Sequence, residues 1–147
     1  MRSVVQRVDW AQVDVAPDYS RRIGAGLLAL VCVESGDDEN KLDWMARKIA
    51  GLRIFSDDEG KMNRSVIDIN GSILVISQFT LAADIEKGFR PSFSNAAPPV
   101  IAEPFVNRFV EKLRTDCGVR SVETGIFGAH MDVTLHNDGP VTIFIEK

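Results

Sequence analysis

Strand-like stretches outnumber helical ones in this chain and do not alternate with them, which argues against a doubly wound or repeating βαβ architecture. Val4 to Val15 alternates loosely between apolar and polar residues and reads as a strand. Pro17-Asp18-Tyr19-Ser20 supplies a turn into a second, more continuously apolar strand from Ile23 to Val33. Leu42, Met45, Ala46, Ile49 and Ala50 recur at three- and four-residue intervals, which predicts an amphipathic helix ending near Gly51. Val66 to Ile69 and Ile73 to Phe79 read as two strands of a hairpin around Asn70-Gly71, because both turn residues tolerate positive φ. Lys87 to Pro99 holds three prolines and no periodicity, and reads as a loop. Phe105, Val106, Phe109, Val110 and Leu113 then form one stripe of a second helix, with Glu103 early and Lys112 and Arg114 late, as its macrodipole prefers. After Gly118 come a strand near Val119 to Thr124 and a final hairpin, Met131 to Leu135 and Val141 to Ile145, turning at Asn137 to Pro140. The expected fold is mixed α/β, a strongly curved, barrel-like sheet with two packed helices.

At 147 residues the chain fits a single domain, 1–147, with a core large enough to fold without staples. The N-terminal residues lack a secretory pattern, and no run approaches the about 20 apolar residues of a membrane span, so a cytoplasmic protein with no membrane partner is expected. Cys32 and Cys117 have no CxxC partner and read as inert thiols. A formal charge of -4 argues against broad wrapping of nucleic acid, DNA above all, because such affinity depends on cations that neutralise phosphates. Positive residues are locally dense at Arg47, Lys48, Arg53, Lys61 and Arg64, and again at Lys87 and Arg90, compatible with a smaller contact.

Two segments carry chemistry. Ser77-Gln78-Phe79-Thr80 places hydroxyl, amide and backbone groups where an apolar strand runs out, and successive N–H groups near Gln78 and Phe79 are candidates to stabilise an oxyanion. Asn137-Asp138-Gly139-Pro140 places a Gly-Pro peptide at a turn, and X-Pro bonds are the ones with a realistic cis population. A triad needs a base, and only His130 and His136 are present, each reading as an exposed or edge residue. Two histidines without clustered cysteines or carboxylates do not make a zinc site, and no Walker or Rossmann glycine pattern occurs. No metal or organic cofactor is expected.

These blocks are similar, in order and from end to end, to the D-aminoacyl-tRNA deacylase family: Val5-Gln6-Arg7-Val8, Ile23 to Leu28, Leu52 to Phe55, Gly60 to Asn63, Ser77 to Leu81, Arg90 to Phe93 and Asn137 to Thr142. The resemblance implies a homodimer that hydrolyses the ester between a D-amino acid and the terminal adenosine at the tRNA acceptor end, and that also attacks achiral glycyl-tRNA. It implies that Gly139-Pro140 is a cis peptide entering the partner's pocket and excluding L-amino acids, with Arg7 bracing that corner. Ser77, Gln78, Phe79 and Thr80 match the motif lining the pocket, Thr80 being a candidate nucleophile beside the tRNA's own 2′-hydroxyl. Phe127 and Met131 match the adenine side. His130, His136 and the stretch Asp14 to Arg22 depart from the family pattern and bear on local loop shape. Two rivals are an editing module of threonyl-tRNA synthetases, which shares the fold but removes an L-amino acid, and a non-catalytic RNA-binding or dimerisation module.

Overall fold

The computed structural model describes Met1–Lys147. Its first strand, β1 (Arg2–Val15), is long enough to serve three neighbours. The N-terminal half pairs antiparallel with β3 (Gly26–Cys32), the C-terminal half with β2 (Tyr19–Ile23), and the opposite edge along its length with β8 (Asp132–Glu146). β3 continues into β6 (Ser72–Ser77) and β6 into β7 (Ser121–Thr124), both parallel. The ends of this path meet, since Tyr19 Oη donates to Thr124 O at 2.7 Å and Arg21 Nε lies 3.5 Å from Glu123. The result is the expected barrel-like sheet, nearly closed. A small ribbon, β4 (Phe55–Ser56) with β5 (Met62–Arg64), sits outside it.

Alternation explains the two cores. β3 and β6 are buried on both faces, as parallel strands inside a sheet usually are. Leu27, Ala29, Val31, Ile73 and Val75 face the helices, whereas Leu28, Leu74 and Ile76 join Val8, Ala11, Val13 and Ile23 in the barrel. Gly26 starts β3 because a Cβ there would collide with the backbone of Ser72. Helix α1 (Glu39–Ala50) buries the predicted stripe, and Asp38 caps it by accepting from Lys41 N at 2.9 Å. That backbone hydrogen bond holds the Asp38 carboxyl below the usual carboxylate range. Helix α2 (Pro99–Thr115) buries Phe105, Val106, Phe109, Val110 and Leu113 as expected. It begins at Pro99, where the expected loop ends: Pro99 fits the first turn, and the helix runs through Pro104 at the loss of one backbone donor.

Two expected hairpins are absent. Val66 to Asn70 is a sequence of turns, with Gly71 N donating to Val66 O at 2.8 Å and Asn70 at φ 56°, and β6 finds its partners in β3 and β7 rather than in a local strand. The C-terminal pair is one strand: β8 continues past Asn137, and Asp138 to Val141 bulge out opposite the single residue Arg7 before pairing resumes at Thr142 with Gln6.

Candidate functional site

β6 delivers its C-terminal end to a cleft. Ser77 closes the strand, Gln78 N donates to Val31 O at 2.8 Å, and a 3₁₀ turn, Phe79–Ala82, takes the chain sideways. Gln78 N–H is therefore spent on the sheet and is not the free oxyanion donor its sequence position suggests. The turn itself leaves Phe79 and Thr80 N–H without an intrahelical acceptor. Gln78 Nε2 donates to Thr80 Oγ1, which fixes both side chains relative to each other. Beneath the turn, Cys32 Sγ lies 3.6 Å from Phe79 O, and burial pushes its thiol up to about 11, so it is a neutral filler there.

The cleft has a volume of about 620 Å³, within the range of small-molecule sites. Ser77, Gln78 and Phe79 form one wall, and Phe127 to Met131 a second. A third wall was not foreseen: Phe93, Ala96 to Pro99, Ala102 and Val106, from the proline-rich stretch and the start of α2. Phe93 meets Phe79 edge to face, with ring centroids 5.0 Å apart. The block Arg90 to Phe93 was the available signal, but periodicity gave it no partner. Thr80 lies outside the lining and is exposed.

No Asp, Glu, Lys, Arg or Cys lines this cleft. Its one titratable residue is His130, 92% exposed at the side chain and 3.6 Å from Asp132. His136 is elsewhere, with Nδ1 2.7 Å from Asp9 Oδ2 on the outer surface.

The second motif is built from polar contacts. Asn137 Nδ2 donates to Arg7 O at 2.9 Å and to Val141 O at 3.2 Å, spanning the neck of the bulge. Arg7 Nη1 donates to Ile54 O. Arg7 Nε stands 2.7 Å from Asp138 Oδ2 but does not aim its N–H along a hydrogen bond, so the contact is one of charge. Gly139 sits at φ 109°, and a Cβ there would come 2.5 Å from Arg7 Nη2. Here the expected cis peptide is corrected: the cis bond of this chain is Ala16-Pro17, and Gly139-Pro140 is trans. The positive φ of Gly139 and the Arg7 brace shape the bulge without isomerisation. Gly139 and Pro140 are exposed and, with Arg7, do not line the cleft of their own chain.

The fold and cleft define a protein with a largely apolar, uncharged cleft at the carboxyl ends of two parallel strands. The chain belongs to the D-Tyr-tRNA(Tyr) deacylase family, whose model matches residues 4–146, and is an enzyme of the hydrolase class. It is 57% identical to a D-aminoacyl-tRNA deacylase of Thermomicrobium roseum, over 100% of this chain and 94% of the relative. It is 55% identical to one of Chlorobaculum parvum, over 100% and 98%. Among solved structures, the "c-Myc DNA Unwinding Element Binding Protein" superposes with a TM-score of 0.92 at 42% identity, covering 100% of this chain and 99% of the other. A "probable eukaryotic D-amino acid tRNA deacylase" gives 0.81 at 19% identity, covering 98% and 97%, and shares the fold.

Proposed function

We propose that this protein hydrolyses the ester joining a D-amino acid to the 3′-terminal adenosine of tRNA, releasing free amino acid and tRNA. The observation that carries the reading is the uncharged cleft at the end of β6, walled by Ser77 to Phe79 and by Phe127 to Met131. An aminoacyl ester is already activated, so orienting it against a water and stabilising the oxyanion are the main demands. The lining supplies no carboxylate or thiol, and His130 stands at the solvent rim. The proton transfer is assigned instead to the substrate's own 2′-hydroxyl, and oxyanion stabilisation to the backbone N–H of Phe79. Phe127 and Met131 take the adenine face.

Chirality is assigned to a second copy of the chain. The exposed bulge of that copy, held by Asn137 and Arg7, enters the cleft and places Gly139 and Pro140 where an L side chain would lie. With the peptide trans, the wall is the Pro140 ring and the close-packed Gly139 backbone rather than a pair of inward-turned carbonyls. Glycine carries no side chain to exclude, so glycyl-tRNA is attacked as well.

Purified protein incubated with D-tyrosyl-, L-tyrosyl- and glycyl-tRNA should release the D-amino acid and glycine and leave the L-ester intact. Equal hydrolysis of both tyrosyl esters, or of neither, rejects the assignment. Sedimentation run alongside should show a dimer, and a monomer with full specific activity removes the two-copy site.

A further inference from the structure

The loop between the 3₁₀ turn and the third wall of the cleft is closed at its base and open at its tip. Asp84 and Ser92 exchange two backbone hydrogen bonds, at 2.8 and 2.9 Å, and Asp84 Oδ1 accepts from Glu86 N at 3.0 Å. Gly88, at φ 71°, turns the tip. The loop holds out an aromatic ring: Phe89 is fully exposed, 107% of its reference, and Ile85, four positions earlier, is 71% exposed.

Lys87 and Arg90 flank that ring and are exposed. In the other basic stretch most cations have a partner: Arg47 lies 3.9 Å from Asp43, Lys61 2.8 Å from Glu59 and Arg64 2.7 Å from Asp58, Arg53 is bonded to Asn63, and Lys48 lies over the Trp44 ring. Lys87 and Arg90 have no acidic group within ion-pair distance. The loop's acids are Asp84, turned onto its own backbone, and Glu86, exposed. Phe89 lies four positions before Phe93 of the cleft wall, so their Cα atoms stand within about 14 Å of each other. A strand of stacked nucleotides rising about 3.4 Å each covers that gap in roughly four steps.

We propose that Phe89, flanked by Lys87 and Arg90, is a stacking and phosphate-contact site for the single-stranded nucleotides that precede the terminal adenosine of the substrate. The inference rests on the substrate reading given under Proposed function. Exposed aromatic rings between cations suit single-stranded RNA, because every base offers a π-face and each linkage a phosphate. A second copy of this chain is a poorer occupant. A two-fold contact centred on the loop would place Lys87 and Arg90 against their own copies, and interface cores are depleted in lysine.

The test uses a fluorescent RNA hairpin with a single-stranded 3′ ACCA end, uncharged with amino acid, together with D-tyrosyl-tRNA and the small ester 3′-D-tyrosyladenosine. Phe89→Ala should weaken hairpin binding about tenfold, as loss of one stacked base does. The Lys87→Gln/Arg90→Gln variant should make binding less salt-dependent, reducing the log–log slope by about 1.4 for two single-strand phosphates. Both should raise KM for D-tyrosyl-tRNA while hydrolysing 3′-D-tyrosyladenosine as the unmodified protein does. Unchanged hairpin binding overturns the proposal. So do equal losses on the small ester, which would mean that the loop shapes the cleft, and a changed sedimentation coefficient, which would mean that a second copy covers Phe89. If the unmodified protein cleaves neither D-ester yet binds the hairpin through Phe89, the substrate reading falls and the RNA site stands.

Discussion

Ser77 to Thr80 ends one strand and Asn137 to Thr142 bulges within another, and they are held by opposite means. The first leaves β6 between two apolar cores, with Ile76 and Val75 fully buried just before it, and its wall position follows from that burial. The second leaves an edge strand whose residues are mostly exposed, and its shape depends on Arg7, Asn137 and the conformation of one glycine. A site set by burial is deranged by loss of volume or an unpaired polar group in the cores beneath it. A site set by a few polar contacts should instead be deranged by loss of those contacts while the fold stays intact.

The largest effect that separates the two is expected at Gly139. Gly139→Val combines a β-branched side chain with a φ of 109° and a Cβ 2.5 Å from Arg7 Nη2. Relief requires the bulge to move, and D-tyrosyl-tRNA hydrolysis should drop at least about a hundredfold, roughly 2.7 kcal/mol of barrier. Thermal stability should fall by only about 1–2 kcal/mol, because the strain is local. Wild-type activity in this variant would show that the bulge has no part in the reaction.

Arg7 comes next. Its guanidinium serves Ile54 O, Asp138 and the space beside Gly139 at once, a geometry that the single ammonium of lysine does not reproduce. Arg7→Lys should slow D-ester hydrolysis about tenfold and retain the helical content of the unmodified protein. If Arg7→Lys is silent while Arg7→Ala is not, charge alone holds the bulge, and the comparison sharpens accordingly.

The same contrast explains what the sequence made legible. Helix stripes such as Leu42 to Ala50 and Phe105 to Leu113 were readable because burial imposes their period locally. Asn70-Gly71 was misleading because a turn signal is local, whereas β6 is claimed by the distant strands β3 and β7. The continuity of β8 was hidden for a similar reason: a four-residue bulge opposite Arg7 reads like a hairpin tip until its long partner β1 is seen. Of the cleft, Ser77 to Phe79 and the Phe127 to Met131 wall were marked by family resemblance. The Phe93 to Val106 wall was not, because the aperiodic stretch Lys87 to Pro99 carries no local signal of the element it packs beside. The trans geometry of Gly139-Pro140 was beyond reach of composition, since sequence only raises the chance of a cis bond.

The smallest effects should come from the two histidines, and they test the cleft half of the comparison. His136 is occupied by Asp9 on the far surface and lines no part of the site. His130 does line the cleft, but its side chain is 92% exposed, so water competes for any hydrogen bond it makes to substrate. A general base contributes typically about 10²–10⁴-fold, and it does so by holding its nitrogen within hydrogen-bond reach of the proton it removes. An exposed ring on the rim meets neither condition without reordering. His130→Ala and His136→Ala should therefore each keep single-turnover hydrolysis of D-tyrosyl-tRNA within about tenfold, under ~1.4 kcal/mol. The pH profile carries the finer distinction: if His130 were the base, its removal would change the shape of the pH–rate profile, whereas a reaction run by backbone groups and the substrate's hydroxyl keeps the same profile. A loss of several orders of magnitude in His130→Ala, with the fold intact, would return the proton transfer to the protein.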